Sequence, residues 1–348
     1  MIRARTIPAG LLLGALAAGA ALPAPRLAAE PVAHAPGVDG RWAVTDDGIR
    51  IRYEVEGDST AIPIVLVAGG PGSSHHAFHV THRRLATLGR LVYLDNRGRG
   101  RSDPGRGPAP YTLANDVADV EAVRRALGAE EIVLYGRSYG GMVAQAYAIA
   151  HPGCVRALIL SNTLDGATAW QDENIGSMHA FLAHQFPERW ERIERLHARG
   201  TPAAADTAAA LFGPLAELYN YDLANDSTFR AGVLAVTEPG VPLHSPAVYH
   251  AMIGADPEWR IDGALAGVEL GPRLGAVTVP TLVLAGRYDR ICPPSAARRI
   301  ATALPDARLV VFERSGHRPE LEQADRWFAE IGEFLRGPLG GAVPAGAR

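Results

Sequence analysis

Gly136-Arg137-Ser138-Tyr139-Gly140-Gly141 stands directly after the apolar run Ile132–Tyr135 and directly before the helical stretch Met142–Ala150. A serine at such a strand-to-helix elbow is forced into strained backbone geometry, and small neighbours are needed because the turn packs tightly. Its hydroxyl is then exposed at a helix N-terminus, where the positive end of the dipole favours developing negative charge. A Gly-rich turn whose serine merely caps a helix is the plainer reading. Strand and helix are both in place, however, and together they call for an α/β architecture with a nucleophile at a strand end.

The rest of the chain agrees with that architecture. Trp42–Thr45 and Ile49–Val55 read as two strands joined by a tight turn at Asp46-Asp47-Gly48, an antiparallel entry to a sheet. Short apolar runs of the kind buried on both faces follow at Ile62–Ala68, Arg90–Leu94, Glu131–Tyr135, Val155–Ser161, Thr281–Ala285 and Arg308–Phe312. Helical stretches such as Leu113–Leu127 lie between most of them, the order that builds a mostly parallel sheet covered on both faces. The alternation stops between about Leu164 and Arg273. Helix-like pieces at Gly176–Gln185, Glu188–Ala198 and Ala203–Tyr219 there read as a helical insertion roofing the carboxyl ends of the strands. The expected organisation is a core of residues 38–164 and 273–337, a cap of residues 165–272, and a disordered tail of residues 338–348.

The first residues differ from the rest. Arg3 and Arg5 precede an apolar run from Ala9 to Leu22, and small residues suited to cleavage follow. About 14 apolar residues is short of the ~20 needed to span a bilayer, so residues 1–29 read as a secretory signal. The mature chain is expected to be periplasmic or secreted, with no stable membrane insertion once the signal is removed. Export permits disulfides, yet Cys154 precedes one strand while Cys292 follows another in the same parallel sheet. Opposite strand ends are roughly 15–20 Å apart, beyond disulfide reach, so two free thiols are expected. A net charge of −3 and the lack of any basic run with interleaved aromatics argue against nucleic-acid binding.

An activated serine needs a base, and the base an orienting carboxylate. Asp289 follows the strand Thr281–Ala285, and His317 follows the strand Arg308–Phe312 within Ser315-Gly316-His317. The chain order Ser138, Asp289, His317 is that of the α/β-hydrolase fold. Among 12 histidines, His317 stands out by its place after the last strand. Gly69-Gly70-Pro71-Gly72 follows the strand Ile62–Ala68 and supplies an oxyanion donor at the Gly70 N–H, the Tyr139 N–H being the second. Each such donor is often worth about 3–4 kcal/mol. No metal-ligand spacing is recognised, His75-His76 reads as loop surface near the oxyanion strand, and no metal or other cofactor is expected.

With these pieces assembled, the chain resembles the prolyl aminopeptidase (proline iminopeptidase) family of α/β hydrolases, including the tricorn-interacting aminopeptidases. The likeness spans about residues 40 to 336. It rests on Gly69-Gly70-Pro71-Gly72, on Asp95-Asn96-Arg97-Gly98-Arg99-Gly100-Arg101-Ser102, on the Ser138 elbow, and on Gly286-Arg287-Tyr288-Asp289 with Cys292-Pro293. The resemblance implies release of N-terminal residues, preferably proline, from small peptides, with acidic residues holding the free amine. Gly254-Ala255-Asp256-Pro257-Glu258-Trp259 is similar to the family's Gly-Pro-Asn-Glu-Phe stretch, which makes Glu258 the amine ligand, or else a solvated cap residue. Where tricorn-interacting relatives often carry glutamate after the acid, this chain has Arg290, which would repel an ammonium. That departure favours the alternative, a carboxylesterase or small-molecule amide hydrolase on the same machinery. Cys292, near the acid, is either a thiol whose modification blocks the site or a buried inert one. No motif sets an oligomeric state.

Overall fold

The computed structural model describes residues 38–200, 211 and 216–339. The expected signal, most of the expected helix Ala203–Tyr219 and the tail from residue 340 onward lie outside the described residues. One sheet holds β1 (Asp39–Val44), β2 (Arg50–Glu56), β3 (Pro63–Val67), β4 (Arg90–Leu94), β5 (Ile132–Arg137), β6 (Val155–Ser161), β7 (Thr281–Gly286) and β8 (Ala307–Phe312). Its strand order is β1-β2-β4-β3-β5-β6-β7-β8. The β1–β2 and β2–β4 pairs are antiparallel, and every pair from β4 to β8 is parallel.

Residue alternation explains why the central strands are apolar throughout. Ile64 and Leu66 of β3 enter one core with Tyr93, Val133 and Tyr135, closed by Trp327, Ile331 and Leu335 of the helix Ala324–Arg336. Val65 and Val67 point the other way and pack with Leu94, Leu134, Val120, Val123 and Met142. Those last three come from the helices Leu113–Ala126 and Tyr139–Ala150. Successive side chains of β3 thus enter opposite cores, and no position on that strand faces water. Between β6 and β7 the described residues form helices at Gly176–Gln185, Pro187–His197, Ala216–Tyr219, Ala224–Val236 and Pro246–Ile253, with no strand of the sheet among them.

Both cysteines are free, Cys154 at the entry to β6 and Cys292 beyond the end of β7. Two expectations need correction. Pro338 and Leu339 belong to the ordered chain, because the Pro338 carbonyl accepts from Arg156 Nε at 2.7 Å and the Leu339 N–H bonds the Leu335 carbonyl. His75 and His76 are not loop surface. They are only 3% and 4% exposed at the start of the helix His76–Thr81, where His75 faces Glu54 and Asp95 while His76 bonds Ser74. Buried carboxylates on β2 and after β4 draw His75 inward, a long-range cause that a two-residue pattern does not reveal.

Candidate active site

The elbow takes the strained form its composition demands. Ser138 has φ 53° and ψ −126°, a left-handed conformation that costs an L-residue about 1–3 kcal/mol and persists only where the surroundings over-determine it. They do so here. The Ser138 N–H bonds the Ser161 carbonyl at 3.0 Å, and its own carbonyl accepts from Thr163 Oγ1 at 2.6 Å. A Cβ at Gly140 would stand 2.1 Å from the Val67 carbonyl oxygen, so only glycine lets the outgoing helix press against the end of β3. That contact brings Gly69 against the elbow serine, where an added Cβ would lie 2.8 Å from Ser138 Cβ.

Asp289 and His317 meet as expected. His317 Nδ1 lies 2.8 Å from Asp289 Oδ2, with both residues buried. Oδ1 of Asp289 accepts the backbone N–H groups of Ile291 and Cys292, each at 2.8 Å, and Oδ2 also accepts the Asn162 side-chain amide at 2.8 Å. These donors fix the carboxylate, and the carboxylate fixes the ring, leaving His317 Nε2 as the free basic nitrogen. The His317 N–H bonds the Tyr219 carbonyl at 2.7 Å, tying the loop after β8 to the segment between β6 and β7. Among the described residues no hydrogen bond joins Ser138 to His317. Ser138, Cys292 and His317 line one cavity. Catalytic hydrogen bonds of free enzymes often tighten only when substrate arrives.

The two expected oxyanion donors, the Gly70 and Tyr139 N–H groups, lie on segments braced by one ion pair. Tyr139 is the first residue of its helix, so its N–H has no intrahelical partner, and Gly70 turns with φ 48° beside the elbow. Arg99 donates from Nε to the Pro71 carbonyl at 2.5 Å and from Nη1 and Nη2 to the Asp116 carboxylate at 2.6 and 2.8 Å. Asp116 in turn accepts the Tyr139 hydroxyl at 2.6 Å. A chain Pro71–Arg99–Asp116–Tyr139 therefore spans both donor segments. Arg97 is held alongside it by Asp119 and Asp47.

A cavity of about 460 Å³ opens at the carboxyl edge of the sheet. Gly70, Ser138, Tyr139 and His317 line it from the core, and Tyr219, Phe229, His244, Tyr249 and Glu258 from the segment between β6 and β7. Glu258 thus shares a cavity with Ser138. Burial and then Asp256 raise its carboxyl above the usual value. Arg290 is not among the cavity residues; its guanidinium lies over the Phe181 ring and donates to the Glu217 carbonyl at 3.0 Å. Cys292 lines the cavity but is only 3% exposed, and burial followed by Asp289 pushes its thiol well above the ordinary value.

A family model described as the alpha/beta hydrolase fold matches residues 62–322. A protein of Lactobacillus helveticus named proline iminopeptidase is 30% identical over 298 residues, covering 83% of this chain and 95% of its own. The chain belongs to the proline iminopeptidase family of α/β hydrolases. A crystal structure of the proline iminopeptidase of Mycobacterium smegmatis superposes with a TM-score of 0.70 at 26% identity, over 87% of this chain and all of that one. An esterase from Exiguobacterium antarcticum, 22% identical with a TM-score of 0.61 over 86% of this chain and 100% of its own, shares the fold. As a family member this chain is a serine hydrolase. Residues to which the sequence reading gives no site role are Asn162, Asp116, the cavity wall Trp170 and Asn174, and Arg99, which it names only within the Asp95–Ser102 motif. The position of Asn162 immediately after β6 was its one local signal.

Proposed function

We propose that this hydrolase releases N-terminal residues, preferably proline, from small peptides through an acyl-enzyme on Ser138. In this reading His317 takes the hydroxyl proton and later delivers it to the leaving amine. Asp289 holds the imidazole tautomer, and the Gly70 and Tyr139 N–H groups receive the oxyanion. The carrying observation is that Glu258 faces the same cavity as Ser138 and His317, so a free α-amine and its scissile carbonyl can be held together. The relatives named proline iminopeptidase support the same substrate class. The objection from Arg290 weakens, because that guanidinium is engaged by Phe181 and Glu217 away from the cavity lining.

The deciding measurement sets turnover of prolyl and alanyl arylamides against short-chain nitrophenyl esters. Efficient prolyl arylamide hydrolysis is expected. Negligible arylamide turnover beside strong ester turnover would leave a carboxylesterase. We also propose export, which the charged, apolar and small-residue order of residues 1–29 supports; amino-terminal sequencing of periplasmic or secreted protein tests it.

A further inference from the structure

Away from the catalytic cavity lining, Glu54 of β2 meets two imidazoles from one turn of helix. His75 Nε2 lies 3.5 Å and His79 Nε2 3.1 Å from Glu54 Oε2. Residues four apart share a helix face, which is why His75 and His79 converge on one oxygen. The donor atoms of all three residues lie within 4.8 Å of one another. A tetrahedral ion bonded at ordinary Zn–N and Zn–O lengths separates its ligand atoms by about 3.3 Å. The two measured separations bracket that value, and 3.5 Å is too long for an effective hydrogen bond.

The surroundings are those of a supported metal ligand set. Asp95 Oδ1 accepts the His75 backbone N–H at 2.8 Å and stands 2.8 Å from His75 Nδ1, the ring nitrogen opposite the proposed ligand atom, so a buried carboxylate lies against the ring without hydrogen-bonding it. Arg52 occupies the other Glu54 oxygen at 3.2 Å, so an ion at Oε2 would replace only the hydrogen bond of 3.1 Å with His79 Nε2. The Tyr93 ring packs against His79 at 4.1 Å between centroids. The His75, His79 and Glu54 side chains are nearly buried, and His79 belongs to the partly exposed residues at the cluster's edge, which provides an entry path. The ligand types, two imidazoles and one carboxylate, suit zinc and its neighbours in the first transition row.

We propose that Glu54, His75 and His79 form a structural site for a divalent transition-metal ion, with water completing the coordination. The site couples β2 to the helix His76–Thr81, whose Ala77 and Phe78 line the catalytic cavity, and lies five residues beyond Gly70. Its role is to hold the cavity wall and the oxyanion loop, not to carry out hydrolysis.

The test uses the full chain stripped with chelator and then titrated with Co²⁺ or Zn²⁺ alone. One equivalent of Co²⁺ is expected to give the strong visible bands of a tetrahedral site without a thiolate charge-transfer band. Saturating Zn²⁺ should raise Tm by about 4 °C or more. His79→Gln, at the least buried ligand, should weaken binding at least about 10-fold. Three results overturn the proposal: no stoichiometric binding by the wild-type chain, binding unaltered by His79→Gln, or a thiolate band abolished by Cys292→Ala. The last would place the ion among Asp289, Cys292 and His317, whose donor atoms also lie within 4.8 Å of one another. Because the wild-type spectrum alone distinguishes nitrogen and oxygen donors from sulfur, a misfolded variant does not spare the idea.

Discussion

Asn162 donates its side-chain amide to Asp289 Oδ2 at 2.8 Å, the same oxygen that meets His317 Nδ1. The amide also reaches the Gly316 carbonyl at 3.3 Å, so one side chain positions both the carboxylate and the loop that carries the imidazole. Its backbone has φ 49°, which glycine adopts without strain. Asn162→Gly therefore removes the amide while keeping the turn. A hydrogen bond to a charged group is worth about 1.5–3 kcal/mol, so kcat should fall about 10-fold or more with KM little altered. Unchanged kcat would remove Asn162 from the relay.

The contrast between Asn162 and Ser138 shows what the sequence makes legible. Ser138 announces itself because its constraint is local: strand, glycines and helix are contiguous, and each is needed within a few residues. The sheet is legible for a similar reason, since burial on both faces writes continuous apolar runs. Asn162 and Asp289 are 127 positions apart, and nothing near either names the other. The same holds for His75, whose burial depends on Glu54 and Asp95 in other strands' surroundings. The segment between β6 and β7 is least legible because its helices take their faces from the cavity they enclose, not from a repeating sheet.

The pair Arg99 and Asp116 offers a test of the brace between the segments that carry Gly70 and Tyr139. Both side chains are buried, and Arg99 bonds Asp116 through two nitrogens. Removing one partner strands the other charge. Arg99→Leu is expected to destabilise the fold by about 3–5 kcal/mol, and Arg99→Leu with Asp116→Leu to recover a substantial part. Equilibrium denaturation of the three proteins measures this. A double variant no more stable than the single one would show that the pair's hydrogen bonds to Pro71 and Tyr139 matter more than its charge balance.

The two thiols should differ sharply in reactivity. The thiolate is the nucleophile, and burial with Asp289 nearby keeps Cys292 protonated, whereas Cys154 is only half-buried. A disulfide reagent added to native protein should modify Cys154 first, with Cys292 following only on unfolding. Rapid reaction of two equivalents in the native state, with loss of turnover, would mean that the cavity admits reagent to Cys292.

Glu258 ties substrate binding to pH. Burial, then Asp256, raises its carboxyl above the unfolded value, so the folded chain binds this proton more tightly than the unfolded one. Stability from this group is therefore present below the unfolded value and lost as pH rises through the raised folded value. Glu258→Gln abolishes that slope and should make the protein more stable than wild type near neutral pH. Binding runs the other way, because only the carboxylate attracts an ammonium. For prolyl arylamide, KM should fall as pH rises through the raised value, and Glu258→Gln should increase KM about 10-fold or more while flattening that dependence. An N-blocked ester should show neither effect. Equal changes for blocked and free-amine substrates would make Glu258 a wall of the cavity and not the group that holds the amine.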